Sequence, residues 1–141
     1  MGFSTTAAVA IIGLSIFISL EIFTGSIIPS ITDYDTSYQN MVNRKVDTLQ
    51  TTINITTISV TAYGLNYNHT ITLHNIGSIT IDASKCMVLI NGINQQFTCS
   101  ESYIYPEKQA FFNITNLPGD GEKTAKIITE NGIEDYYIYT I

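Results

Sequence analysis

The sequence has no tryptophan, three prolines and two cysteines, and only six of its 141 residues are lysine or arginine. Against twelve acidic residues and a formal charge of -6, so few cations leave no clustered positive surface. That excludes nucleic-acid binding and gives the polar part of the chain no attraction to anionic headgroups. The histidines, His69 and His74, are five apart on one predicted strand, so they point to opposite faces and cannot share a metal. No phosphate loop, nucleophile elbow or paired-carboxylate motif occurs, nor any internal repeat or low-complexity run. The acidic pair Glu134-Asp135 falls at a turn-to-strand junction and reads as solvated. These absences imply a non-enzymatic chain with no cofactor.

Charge is missing most completely from the stretch Gly2–Leu20, nineteen residues rich in Ile, Ala, Leu and Phe. As a helix it would be roughly 28 Å long, close to the hydrocarbon thickness of a bilayer. Three readings compete. A cleaved secretory signal would carry a basic segment before a shorter apolar core, and none precedes this one. A buried core helix would need an amphipathic stripe and a larger domain around it. A filament-type leader would place basic residues before its glycine, whereas Gly2 follows Met1. The expectation is a retained single-pass anchor whose Gly2, Phe3, Ile11, Ile12, Leu14, Ile16, Phe17 and Leu20 meet lipid. Glu21 reads as an interfacial carboxylate. Gly25 and Pro29 predict a kink or local unwinding.

From Asp33 to Gln50, apolar residues at Ile31, Tyr34, Tyr38, Met41 or Val42, and Leu49 keep a spacing of three and four. This is a stalk helix, with its stripe against the domain or against a second copy in a homo-oligomer. The predicted organisation is thus an anchor and stalk over residues 1–50 and a separate domain over residues 51–141.

From Thr51 onward the period becomes two. Strands are predicted at Thr52–Ala62, Asn66–Asn75, Ser78–Asp82, Cys86–Ile90, Gln95–Cys99, Gln109–Asn116, Lys123–Glu130 and Glu134–Ile141, with turn signals such as Asn91-Gly92 between them. Short strands with Gly and Asn turns at this spacing mean an antiparallel β-sandwich. Asn54, Asn68 and Asn113 each begin an N-x-T glycosylation sequon, which sets the domain outside the cell and the N-terminus inside. Facing those asparagines outward turns Ile71, Leu73, Phe112 and Ile114 inward. Ile58 and Val60 fit only if a bulge near Thr56-Thr57 resets the first strand.

Cys86 and Cys99 flank the turn at Asn91-Gly92, directly opposite if the loop has four residues and diagonal if it has two. In an oxidising compartment a disulfide between them is expected, closing a loop worth about 3 kcal/mol in the chain-entropy model. Aromatic and apolar residues are in surplus at Met87, Leu89, Tyr136, Tyr137 and Tyr139, where two strands are apolar on both faces. One face belongs to the core; the other is a candidate protein interface.

The chain resembles the archaellum stator proteins of the FlaF family. Met1-Gly-Phe-Ser opening into the charge-free helix, the junction Gln50–Ile55, the run Ile71–Ile81, the hairpin Val88–Gly92 and the stretch Ala125–Gly132 carry the resemblance. It implies an immunoglobulin-like β-sandwich on a membrane anchor, holding the archaellum motor to the S-layer and pairing with the sister protein FlaG. The cysteine pair departs from the family pattern. A minor archaellin or pilin-like filament subunit and a glycosylated adhesin or S-layer-associated protein are the other readings.

Overall fold

The computed structural model describes residues 2–141; the side chain of Phe3 lies outside the described residues. By its internal contacts the chain divides into a helical unit up to Asn43 and a compact unit Arg44–Ile141. The sequence-based boundary falls later, after residue 50.

The helical unit begins with α1 (Gly2–Ile22), passes through a π-helical turn at Phe23–Ile27, and continues as α2 (Ile28–Gln50). Among the described residues this is the helix long and apolar enough to cross a membrane. Its hydroxyls do not interrupt it. Ser15 Oγ donates to the Ile11 carbonyl at 2.8 Å, Ser19 Oγ to Ser15 at 2.8 Å and Thr24 Oγ1 to Leu20 at 2.9 Å, so each polar group is satisfied within the helix. The π-turn lies where Gly25 and Pro29 predicted a disturbance. Proline supplies no N–H and its ring crowds the carbonyl four residues earlier, which is Gly25; widening the preceding turn accommodates both.

The β unit is a sandwich of antiparallel sheets. Its strands are β1 (Ile53–Tyr63), β2 (Asn66–Asn75), β3 (Ile81–Asp82), β4 (Met87–Ile90), β5 (Ile93–Gln95), β6 (Thr98–Cys99), β7 (Tyr103–Ile104), β8 (Gln109–Leu117), β9 (Glu122–Ile128) and β10 (Glu134–Thr140). Sheet I has the order β1-β2-β8-β6, sheet II has β10-β9-β4-β5, and β3 pairs with β7. The expected bulge is present, with the β1–β2 register shifting between Ile55 and Thr57. It turns Ile53 and Ile55 before it, and Ile58 and Val60 after it, toward the same core. Ile71, Leu73, Val88, Phe112, Ile114 and Ile127 are fully buried between the sheets, and Phe97 lies against Phe112 with ring centroids 5.1 Å apart.

The edge strand β1 is closed by a carboxylate. Asp135, on the inward side of β10, accepts a hydrogen bond from the Ile55 backbone N–H at 2.7 Å and so links the two sheets. The reading of Asp135 as solvated is therefore corrected: its side chain satisfies an edge donor freed beside the bulge.

The cysteine hairpin is corrected as well. The loop has two residues, Asn91 and Gly92, both with positive φ (50° and 80°), and the register pairs Val88 with Gln95. After Gln95 the chain leaves sheet II, and Cys99 pairs with Phe112 in sheet I. Cys86 stands just before β4 and Cys99 in β6 of sheet I, so they are not cross-strand neighbours in one hairpin, and both are free thiols. Burial pushes the Cys86 thiol up to about 12, with the Cys99, Glu130 and Asp82 charges adding to it, so it is no nucleophile at neutral pH.

His69 and Tyr139 form an ionisable pair inside the sandwich. His69 is fully buried, its Nδ1 lies 2.8 Å from the Tyr139 hydroxyl, and its Nε2 has no hydrogen-bond partner among the described residues. An imidazolium there would carry two N–H groups with one acceptor. Burial, and then the nearby Lys123 ammonium, hold its pKa below the ordinary 6.5. The sign follows by linkage. Below pH 6.5 the unfolded chain takes up a proton that the folded chain refuses, so stability is full above that pH and is lost as pH falls toward the lowered folded value. Urea midpoints between pH 7 and pH 5 should fall in the wild type. The part of that slope due to His69 should vanish in His69→Leu; an unchanged slope refutes the assignment.

Candidate functional site

The two outer faces of the sandwich differ in chemistry. The strands of sheet I contain no Asp, Glu, Lys or Arg, whereas those of sheet II carry Glu122, Lys123, Lys126, Glu134 and Asp135. Alternation along β4, β9 and β10 decides which side chains of sheet II face out. Met87 and Leu89 point outward from β4, Lys126 and Ile128 from β9, and Tyr136 and Ile138 from β10.

The registers bring these residues together. Met87 and Glu134 both pair with Ile128, while Leu89 and Tyr136 both pair with Lys126. Ile138 pairs with Thr124 in the next row. Two rows of apolar and aromatic groups therefore cross three strands, interrupted by one ion pair, Lys126 Nζ to Glu134 Oε2 at 2.6 Å. Tyr136 is 66% exposed, Ile138 56% and Met87 46%, so these large side chains face solvent side by side and not singly. The exposed ion pair contributes about 0–1 kcal/mol and mainly fixes the position of the lysine stem.

Three of the five residues expected at an interface thus lie on one outer face: Met87, Leu89 and Tyr136. The other two do not. Tyr139 is buried against His69, and Tyr137 is part-buried against the core. Both occupy inward positions of β10, and aromatic residues on both faces leave the phase of its alternation unmarked in the sequence. Ile128 and Ile138 belong to the face and were missed. Their signal was the parity they share with Lys126 and Tyr136.

Asp82 caps a short 3-10 turn, with Oδ1 accepting from Ser84 N at 3.0 Å and from Ser84 Oγ at 2.6 Å. Those Ser84 bonds, with Lys85 nearby, hold its carboxyl below the usual range. Lys85 also donates to Glu130 at 2.8 Å. Among the described residues no group of three or more His, Cys, Asp or Glu could hold a metal ion. His69 faces the core, whereas His74 lies on the outer face of β2.

The sequon asparagines all sit on the opposite outer face, that of sheet I. Asn54 pairs with His74, Thr61 with Asn68, and Thr70 with Asn113, each at an outward position.

The fold and its open face define a class: a β-sandwich with an apolar-aromatic outer surface, preceded by a helix long and apolar enough to cross a membrane. No protein-family model matches the chain, and no curated protein does. Among solved structures it is similar to the archaellum periplasmic stator protein complex FlaF and FlaG from Sulfolobus acidocaldarius, with a TM-score of 0.51 and 22% identity. That match covers 62% of this chain and 87% of the other. The likeness is one of fold.

Proposed function

We propose that this chain is a non-enzymatic structural subunit of an archaellum stator. In this reading α1 spans the cell membrane with its N-terminus in the cytoplasm, and the sandwich stands outside, tying the motor to the S-layer or to a FlaG-like sister protein. The observation that carries the proposal is the open face of sheet II on a sandwich whose fold is that of the FlaF and FlaG complex. A stator transmits force and needs an anchor, a stiff domain and a protein-binding surface. Tyrosine and methionine are enriched at interface cores, and tyrosine also at binding hot spots; both occur here beside Leu89, Ile128 and Ile138.

The test is the double variant Tyr136→Ser with Ile138→Ser. Both side chains point into solvent, so stability should change by no more than about 0.5 kcal/mol per site. Binding to S-layer sheets or to the sister protein should weaken about tenfold or more, the loss expected when two central anchors are removed. Cells carrying the variant should build filaments that do not rotate. A folded variant that supports normal swimming refutes this face as the stator contact.

A further inference from the structure

We infer that the outer face of sheet I is a glycan-bearing face, modified at Asn54, Asn68 and Asn113. This rests on the exported placement of the sandwich in the function proposed above. The sequence supplies three sequons; the fold puts all three asparagines on one side of one sheet. They could have been divided between two outer faces, the core and the loops.

The hydrogen bonding leaves the reactive atoms free. Asn68 Oδ1 accepts from the Asn116 backbone N–H at 3.0 Å, and Asn113 Oδ1 accepts from Thr70 Oγ1 at 2.8 Å. Each amide is oriented through its oxygen, and neither Nδ2 donates a hydrogen bond among the described residues. Asn54 is exposed on the edge strand β1. Asn113 stands beside Thr70, the next outward residue after Asn68, so those two sites adjoin. Asn54 lies six residues along the sheet from Asn68, through its partner His74, which is roughly 20 Å at strand rise.

The modification is a group transfer without redox change. Asn Nδ2 forms a bond to the anomeric carbon of an oligosaccharide carried on a lipid phosphate, supplied with its transferase by the membrane. The bond from that carbon to the phosphate oxygen breaks, the lipid phosphate leaves, and one Nδ2 proton passes to a base. The physical gain is solvation. The strands of sheet I carry no charged side chain, so hydrated sugars on β1, β2 and β8 would solvate its outer face. Only Asn54 lies on an edge strand, where its sugar would add to the closure that Asp135 gives β1. They would also close this face to protein partners and leave the face of Tyr136 for docking.

The test uses the full chain purified from its own membranes. Intact mass should exceed the 15.6 kDa of the polypeptide by sugar increments. Asn54→Gln, Asn68→Gln and Asn113→Gln should each remove one increment. Thr115→Ala should remove the increment at Asn113 while Thr115→Ser keeps it, which separates sequon chemistry from damage to the fold. A mass equal to the polypeptide, in cells where external protease removes the sandwich, overturns this inference alone. The same mass with a protease-protected sandwich overturns the exported placement and this inference with it.

Discussion

Asn75→Ala should cost about 3–5 kcal/mol, counting each buried backbone group left unpaired at about 1–3 kcal/mol and the better-hydrated ones at the low end. Asn75 is fully buried at the end of β2. Its Nδ2 donates to the Ile79 carbonyl at 2.8 Å and to the Ile104 carbonyl at 2.9 Å, while its Oδ1 accepts from Gly77 N at 3.0 Å. One amide therefore closes the loop into β3 and holds β7 against it. No other side chain reaches all three groups at once, since only an amide offers two donors and an acceptor at this size. Asn75→Asp should be at least as damaging, because it sets oxygen against two carbonyls. Thermal melts of the detergent-solubilised protein should show midpoints lower by upwards of about 12 °C, using 4–8 °C per kcal/mol for a domain of this size. A loss below about 1 kcal/mol would refute this reading of the amide.

Gly77→Ala should be the next most costly change, about 2–4 kcal/mol, made of overpacking and lost hydrogen bonds. A methyl at this position would meet the Gln50 carbonyl oxygen and come within 2.6 Å of Thr52 N and 3.2 Å of Thr51 C. All three are backbone atoms, so no side chain can swing away. Relief requires separating the 75–78 loop from the helix terminus, and with it the bonds from Ser78 N to the Gln50 carbonyl (2.9 Å) and from Ile76 N to the Thr52 carbonyl (3.0 Å). Asn131 would still hold the junction on its other side, its Nδ2 donating to Thr51 Oγ1 at 2.8 Å and its carbonyl accepting from Thr48 Oγ1 at 3.5 Å. Amide exchange should accelerate at Ile76 and Ser78 while Phe112 stays protected. Uniform acceleration would mean that the glycine serves the whole core and not this junction.

Much of the fold was legible because single strands obey local rules. The run Asn66–Asn75 was read to the residue, and the bulge near Thr56-Thr57 followed from the conflicting parity of Ile55 and Ile58. Pro29 announced the π-turn through its missing donor. What stayed hidden depends on which strand meets which. Nothing local says that the chain changes sheets between Gln95 and Thr98, so Cys99 was assigned to the wrong partner strand. The pairing of Ile81 with Ile104 joins strands of two residues, too short to show a period. The candidate face was half legible. The sequence analysis held Tyr136, Tyr137 and Tyr139 together as interface candidates; alternation separates Tyr136 from the other two, but only the buried His69–Tyr139 pair reveals which group faces in. Asp135 was misread for the same reason, since its partner lies eighty residues away on β1.

The π-turn at Phe23–Ile27 has a consequence for how the long helix can associate. One extra residue in a turn displaces everything downstream by a single step of helical rotation, about 100°. The Tyr34, Tyr38 and Met41 stripe therefore stands on a meridian about 100° from the one an unbroken α-helix would give it. The turn, and not the stripe's own residues, sets the direction in which that stripe can take a partner.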